Sequence, residues 1–276
     1  MIRLAVRVRR ADAEIVLAEL LSLAPAGVEE VDVGPEVVEY AVYGAPGELP
    51  ALPAIRAVAG AALVEVTTSE VPDDWEQRWR SFHRPLVLSG GRLGVRPPWE
   101  SPPAGVDIDL VIDPGQAFGT GAHATTRLCL ELMLEVAGPA SGSFLDLGCG
   151  SGVLAIAAAR LGWAPVAAVD FDPVAVEAAA VNAGVNAVAV EVWRHDLRSD
   201  PVVSAPTVAA NLLRPLLVAW ARRLADAAAA PERVIASGLL VGEADEVPGA
   251  FGAVGLREVA RRHSGDWAAI LLQRNA

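Results

Sequence analysis

From Phe144 onward the chain repeats one unit, a short apolar run followed by a helix-length stretch. Phe144-Leu145-Asp146-Leu147-Gly148 precedes SGVLAIAAARLG, and Val166-Ala167-Ala168-Val169-Asp170 precedes PVAVEAAAVNAG. A third strand is expected at about residues 187–192, after which TVAANLL leads into PLLVAWARRLADA and RVIASG into a further helix. LREVARRH and DWAAILLQ, separated by Ser-Gly, read as a closing antiparallel hairpin. Successive strand-then-helix units pack as a parallel, doubly wound sheet covered by helices, and such sheets bind ligands outside the carboxyl ends of their strands. The pattern predicts an α/β, Rossmann-like domain and says where its site will lie.

The first part of the chain follows a different rule. Residues 2–8 (IRLAVRV) alternate apolar and charged like a half-buried strand, and residues 12–23 have helical spacing with Asp12 as a plausible N-cap. GVEEVDV and EVVEYAVYG read as strands, Pro50 to Ala59 as a short helix and ALVEVTT as another strand. The order β-α-β-β-α-β predicts a small α+β, ferredoxin-like domain over residues 1–68. It carries no cluster of catalytic residue types, so its expected task is substrate recognition. Residues 69–84 follow as a linker helix, with Trp75, Trp79 and Phe82 at i, i+4 and i+7 forming a packing stripe on one face. The second domain is expected over residues 85–276. It begins with a hairpin (LVLSGGRLGVRP), a proline-rich PPWESPP and the apolar strand VDIDLVI.

Composition removes several function classes. The first residues show no long apolar run before a small-residue cleavage site, and no segment approaches the roughly 18–20 apolar residues of a membrane span. The expected protein is soluble and cytoplasmic, with no membrane partner. Cys129 and Cys149 form no CxxC pair, and His83, His123, His195 and His263 are scattered, so neither a disulfide framework nor a metal site is expected. A formal charge of −12 argues against tight, sequence-independent nucleic-acid binding, which depends on neutralising phosphates. All 22 basic residues are arginine. A Walker A loop needs a lysine at its phosphates, so Asp113-Pro114-Gly115-Gln116-Ala117-Phe118-Gly119-Thr120-Gly121 is no nucleotide-phosphate cradle.

Chemistry concentrates at strand ends. Asp146-Leu147-Gly148-Cys149-Gly150-Ser151-Gly152 lies where the first strand of the repeat turns into its helix. Glycines there let the backbone approach a ligand without Cβ clashes. A dinucleotide fingerprint would have Gly or Ala after G-x-G-x-x, whereas these glycines run G-x-G-x-G, which fits a nucleoside without pyrophosphate better than NAD. Asp170 ends the next strand about 20 residues on, where a carboxylate can accept both ribose hydroxyls, and Asp172 is better placed to cap the helix. Asp196 is either an adenine neighbour or a turn aspartate. Cys149 reads as a small buried thiol. Asn211 ends the fourth strand, where its amide can accept a hydrogen bond from an incoming amine; the bland alternative is a turn asparagine bonded to local backbone.

Six segments together resemble a known family: DDWEQRWRSFHRP, DPGQAFGTGAHATT, LDLGCGSGVLAIAAARLG, VDFDP, ANLL and SGLL. In order and approximate spacing they are similar to the ribosomal protein L11 methyltransferases, within the class I S-adenosylmethionine-dependent methyltransferases. The likeness covers most of the chain from about residue 73, and the DPGxAFGTGxHxTT stretch is its most specific part. It implies S-adenosyl-L-methionine as cofactor, with contacts from Thr126, Gly148, Gly150, Asp170 and Asn211. It implies that the Asp113–Thr126 loop lines the donor site and the route to the target amine. Phe118 is expected to wall the reactive end, and Asn211 and Phe118 are the expected catalytic residues. The implied acceptors are lysine side-chain amines of ribosomal protein L11, with its N-terminal amine as a further candidate. Catalysis is expected mainly from positioning and desolvation, with His123 as a candidate base. The alternatives are lysines of another protein, such as an electron-transfer flavoprotein subunit, or a base amine in RNA or DNA. Asn211-Leu212-Leu213 lacks the N/D-P-P-Y/F/W pattern of enzymes that hold a planar base, which disfavours the last.

Overall fold

The computed structural model describes residues 2–24, 28–44, 49–70, 83–114, 123–138, 142–227 and 230–274. The chain divides into two units, Met1–Phe82 and His83–Ala276.

In the first unit, β1 (Ile2–Arg9), α1 (Ala13–Leu23), β2 (Glu29–Asp32), β3 (Val37–Gly44), α2 (Leu52–Ala59) and β4 (Leu63–Glu70) follow the order read from the hydrophobic pattern. The strands form one sheet in the order β2-β3-β1-β4, with every neighbouring pair antiparallel. Strand alternation places Leu4, Val6 and Val8 in a core with Val16 and Leu20 of α1 and Ile55 and Ala59 of α2. The alternate residues of β1 carry charge. Arg3 and Arg7 flank Glu39 at 2.5 and 2.7 Å, and Arg7 also reaches Glu65 at 2.7 Å. Glu39 is only 5% exposed, so its two guanidinium partners are what make its burial tolerable. Asp12 occupies the N-cap position of α1, but its side chain makes no capping bond and instead lies 3.4 Å from Arg9. β4 extends to Glu70, and Trp75, Trp79 and Phe82 fall outside the described residues.

The second unit opens with a hairpin, β5 (Leu86–Leu88) and β6 (Leu93–Arg96), joined in parallel by β7 (Ile108–Val111). Then come α3 (Ala124–Val136), β8 (Phe144–Leu147), α4 (Val153–Arg160), β9 (Val166–Asp170), α5 (Pro173–Val185) and β10 (Glu191–Arg194). β11 (Thr207–Asn211), α6 (Arg214–Asp226), β12 (Arg233–Leu240), α7 (Glu246–Gly252), β13 (Leu256–Ser264) and β14 (Trp267–Arg274) complete it. The main sheet runs β10-β9-β8-β11-β12-β14-β13. Its first five strands are parallel, and β14 is antiparallel to both β12 and β13.

β10 starts at Glu191, later than the pattern predicted, because α5 ends in a tight cap that uses the intervening residues. Ala187 has φ +52°, its N–H donates to Gly184, and the N–H of Val188 donates back to Ala183. That is the left-handed double closure of a Schellman motif, with alanine where glycine is usual.

Strand residues alternate between two cores. Phe144, Ala168, Ala209 and Ile235 pack with helices α3, α4 and α5 on one face. Leu145, Val169, Val208 and Val234 pack with α6 and α7 on the other, where Trp220 and Phe251 meet edge to face at 5.6 Å. Helices therefore cover both sides of the sheet and leave the ends of its strands accessible. Among the described residues no helix is long and apolar enough to cross a membrane.

Candidate active site

β8 has β9 on one side and β11 on the other, and the strand order reverses there. The carboxyl ends of these three strands deliver the Gly148–Gly152 turn, Asp170 and Asn211 to one edge of the sheet.

The turn adopts a conformation that side chains resist. Gly148, Gly150 and Gly152 all have positive φ, at +78°, +51° and +79°. At Gly152 there is also no space, since a Cβ would sit 2.9 Å from the Ala179 Cβ and 3.0 Å from its Cα. Gly148 and Cys149 donate their N–H groups to the Val169 carbonyl at 2.8 and 3.0 Å, stitching the turn to β9. Asp170 completes the stitch. One carboxylate oxygen accepts from the Gly150 N–H at 3.0 Å and the other from the Asp172 N–H at 3.1 Å. A carboxylate has about four lone-pair positions, so each oxygen keeps one for a ligand hydroxyl. Asp172, not Asp170, caps α5, accepting from Val174 at 2.9 Å.

Asp146 is 1% exposed. One of its oxygens accepts from the Ala155 N–H at 3.0 Å, and the other has no hydrogen-bond partner. Burial pushes its carboxyl up to about 7, the Ala155 bond opposes this, and the nearby Asp170 charge adds to it. The same burial raises the Cys149 thiol, which stays protonated and is no nucleophile.

Asn211 donates through Nδ2 to the Thr126 hydroxyl at 3.3 Å, which brings together two residues far apart in sequence. Thr126 is buried in the first turn of α3. With Nδ2 committed, the amide oxygen of Asn211 remains an open acceptor. The backbone after Asn211 is fixed by a close approach to β12. The Leu212 N–H donates to Ser237 at 3.0 Å, and Gly238, with φ +82°, sits where a Cβ would be 2.6 Å from the Leu212 oxygen and 2.8 Å from its carbonyl carbon. The pairing of β12 with β14 shifts register at this glycine. The Leu212 side chain turns the other way, occupying the space a Cβ on Gly148 would need, with its Cδ2 at 2.5 Å from that position.

His123 is the N-cap of α3. Its Nδ1 lies 2.8 Å from the Thr125 hydroxyl and accepts weakly from the Thr125 N–H at 3.4 Å, and its ring meets Trp267 edge-on at 5.0 Å. Burial holds its pKa below the usual histidine value, so the ring is neutral at pH 7. Asp196 is occupied in a turn, with one oxygen accepting from the Arg198 N–H at 2.9 Å and its guanidinium at 3.3 Å. Phe118 lies outside the described residues. Thr126, Gly148, Gly150, Asp170 and Asn211 all lie at the carboxyl edge of the sheet. Gly238 and Leu212 were not singled out by their sequence surroundings. Leu212 appeared only within ANLL, and for Gly238 the signal was SGLL, whose glycine interrupts an otherwise apolar strand, a pattern that marks a bulge or a close backbone approach.

This strand order, with its turn after β8 and its closing antiparallel hairpin, places the chain among the class I methyltransferases. The crystal structure of a ribosomal protein L11 methylase from Lactobacillus delbrueckii subsp. bulgaricus superposes with a TM-score of 0.61 at 26% identity, covering 70% of this chain and 100% of that one. Residues 52–275 match the family model for ribosomal protein L11 methyltransferase (PrmA). The ribosomal protein L11 methyltransferase of Pelotomaculum thermopropionicum is 41% identical over 225 residues, 80% of this chain and 72% of that protein. That of Chloroflexus aurantiacus is 38% identical over 235 residues, 75% and 71% respectively. The chain belongs to the ribosomal protein L11 methyltransferase family and is a protein methyltransferase.

Two outcomes follow from the geometry. Gly238→Ala combines a left-handed φ with a backbone clash and is expected to destabilise the protein by at least about 2 kcal/mol and to lower turnover by displacing Asn211. Gly249→Ala, in α7 with open space around it, is expected to be neutral or stabilising by up to about 1 kcal/mol. Urea midpoints and initial rates compare the two. Asp146 binds its proton more tightly in the folded chain than in the unfolded one, where its pKa is about 3.9. Wild-type stability should therefore carry no Asp146 penalty below about pH 4, lose ground as pH rises towards 7, and change no further from this group above that. The stability of Asp146→Asn relative to wild type should grow over the same window, and equal differences in urea midpoint at pH 4.5 and pH 8 would contradict the assignment.

Proposed function

We propose that this chain transfers methyl groups from S-adenosyl-L-methionine to amines of ribosomal protein L11, lysine side-chain amines first among them. The observation that carries the reading is coincidence: the family match over residues 52–275 contains every group that converges at the carboxyl edge of the sheet. The residues there suit the cofactor. Asp170 retains acceptor positions for a pair of hydroxyls, the left-handed glycines admit a ligand against the backbone, and the orphan oxygen of Asp146 suits a donor or a positive charge. When bound, S-adenosylmethionine supplies an electrophilic methyl group.

The chain's own residues then have three tasks. Asp170, Gly148 and Gly150 hold the nucleoside part, and Thr126, buried and bonded to Asn211, borders the reacting region. Asn211 orients the acceptor: its open amide oxygen takes one N–H of the incoming amine and leaves the nitrogen lone pair free to point at the methyl carbon. The amine must first be neutral. A lysine has a reference pKa near about 10.4, and a low-dielectric site beside a positive charge favours loss of its proton. His123 contributes as a cap, since Nδ1 is engaged with Thr125. The rate enhancement rests on positioning and desolvation. We assign no tight nucleic-acid contact and no membrane partner, and place the protein in the cytoplasm.

We read the first unit, β-α-β-β-α-β with antiparallel order β2-β3-β1-β4, as a ferredoxin-like domain, a reading its element order supports. We assign it the recognition of the acceptor protein, with residues 69–84 as the linker to the catalytic domain over 85–276 and Phe118 as a wall of the reactive end.

Incubating purified L11 with this chain and S-adenosylmethionine, followed by peptide mass spectrometry, tests the reaction. Mass increments of one methyl group or multiples of it on lysines or the N-terminal amine are expected; an unmodified L11 beside a chain that binds S-adenosylhomocysteine would move the acceptor to another protein. Asp170→Ala is expected to weaken cofactor binding by about 10-fold or more, in line with loss of hydrogen bonds to a charged group. Asn211→Ala should instead lower turnover with cofactor affinity little changed. Calorimetry and single-turnover kinetics separate the two, and unchanged turnover in Asn211→Ala would remove Asn211 from its role.

A further inference from the structure

Asn182 on α5 and Asn186 at its C-cap stand one turn apart, in a stretch otherwise made almost wholly of alanine, valine and glycine, and they are 2% and 7% exposed. A buried amide is costly unless its donors and acceptor are matched. Both of these are matched by main chain. Asn186 accepts from the Val111 N–H at 2.9 Å and donates to the Val111 carbonyl at 2.7 Å and to the Asn182 carbonyl at 2.8 Å. Asn182 accepts from the Asp113 N–H at 3.0 Å and donates to the Ser151 carbonyl at 3.0 Å and, at 3.4 Å, to the Asp113 carbonyl. The two side chains pair with alternate residues, Val111 and Asp113, much as a neighbouring strand would, and so extend the hydrogen bonding of β7 beyond its end.

The two asparagines differ in one respect. Asn186 bonds only to β7 and its own helix, whereas Asn182 bonds to Asp113 and to the Gly148–Gly152 turn through one planar amide. Asp113 begins the segment whose far end, Thr126, is bonded to Asn211. The segment is thus tied at its start to the turn and at its end to the residue that orients the acceptor. One amide group therefore bridges the Ser151 and Asp113 peptides directly.

We propose that Asn182 is a positioning residue for methyl transfer, coupling the Gly148–Gly152 turn to Asp113 so that a ligand seated on the turn also fixes the start of the 113–126 segment. This deepens the methyltransferase reading and rests on it. Coupling of this kind is reciprocal: whatever fixes Asp113 tightens the turn by the same factor.

Amide hydrogen exchange of the full chain, resolved by NMR with and without S-adenosylhomocysteine, tests the proposal. In wild type the ligand is expected to slow exchange of the Asp113 amide by about five-fold or more. In Asn182→Ala the ligand should still protect the turn but leave Asp113 unchanged. Asn186→Ala should lose stability and yet keep the ligand's effect at Asp113, which separates coupling from general loosening. Asn182→Asp, which keeps the acceptor for Asp113 and removes the donor to Ser151, provides a second uncoupled variant if the alanine does not fold. Ligand-induced protection of Asp113 that survives in the Asn182 variants overturns the proposal, as does its absence in a wild-type chain that binds the ligand. A wild-type chain that binds no S-adenosylhomocysteine by calorimetry overturns the functional reading itself, and the proposal with it.

Discussion

The candidate site depends on β8 having a parallel neighbour on each side, from chain segments that leave it in opposite directions. The chain continues to β9 on one side and returns to β11 on the other, so the connections after β8 and β11 diverge and a crevice opens between them. Adjacent strands lie about 4.8 Å apart, so residues ending β9 and β11 face each other across about 10 Å with the turn after β8 between them. Asp170, the left-handed turn and Asn211 are in register because the hydrogen bonds of the sheet set that spacing. Helices on both faces bury the sheet and leave these ends as the place where polar groups can meet a ligand.

Glycine supplies the second constraint. Leu212 fits between two glycines, with its peptide against Gly238 of β12 and its side chain against Gly148 of the turn. The loop after Asn211 and the Gly148–Gly152 turn are therefore not independent surfaces. A change at either glycine reaches the other through one leucine, which explains why an apolar residue rather than a polar one follows Asn211.

The sequence showed what is local. Strand-helix alternation, the G-x-G-x-G turn, Asp170 at a strand end and Asp172 as a cap were legible because each follows from neighbours within a few residues. The βαββαβ order of the first unit was legible for the same reason. The residues that hold the site together were not. Asn182 and Asn186 looked like ordinary polar positions in an alanine-rich helix, since their partners, Val111, Asp113 and Ser151, are remote in the chain. An i, i+4 pair of asparagines in a helix with little else polar was the one available hint. Gly238 was quoted only as part of SGLL, because its need for glycine arises from the Leu212 peptide and not from its own turn. β10 began late because the closure of α5 on Ala187 and Val188 has no glycine to announce it.

Arginine makes the cationic side of all the ion pairs described between side chains, from Arg3–Glu39 to Arg262–Glu135, except the contact between His195 and Asp200. The chain has no lysine to do otherwise. Guanidinium suits these pairs, being planar, always charged and able to bond two oxygens at once. For a catalyst of amine methylation the same choice has a second effect. No lysine side chain of one copy is present to serve as acceptor for another, so lysine self-methylation does not consume the methyl donor as the protein accumulates turnovers.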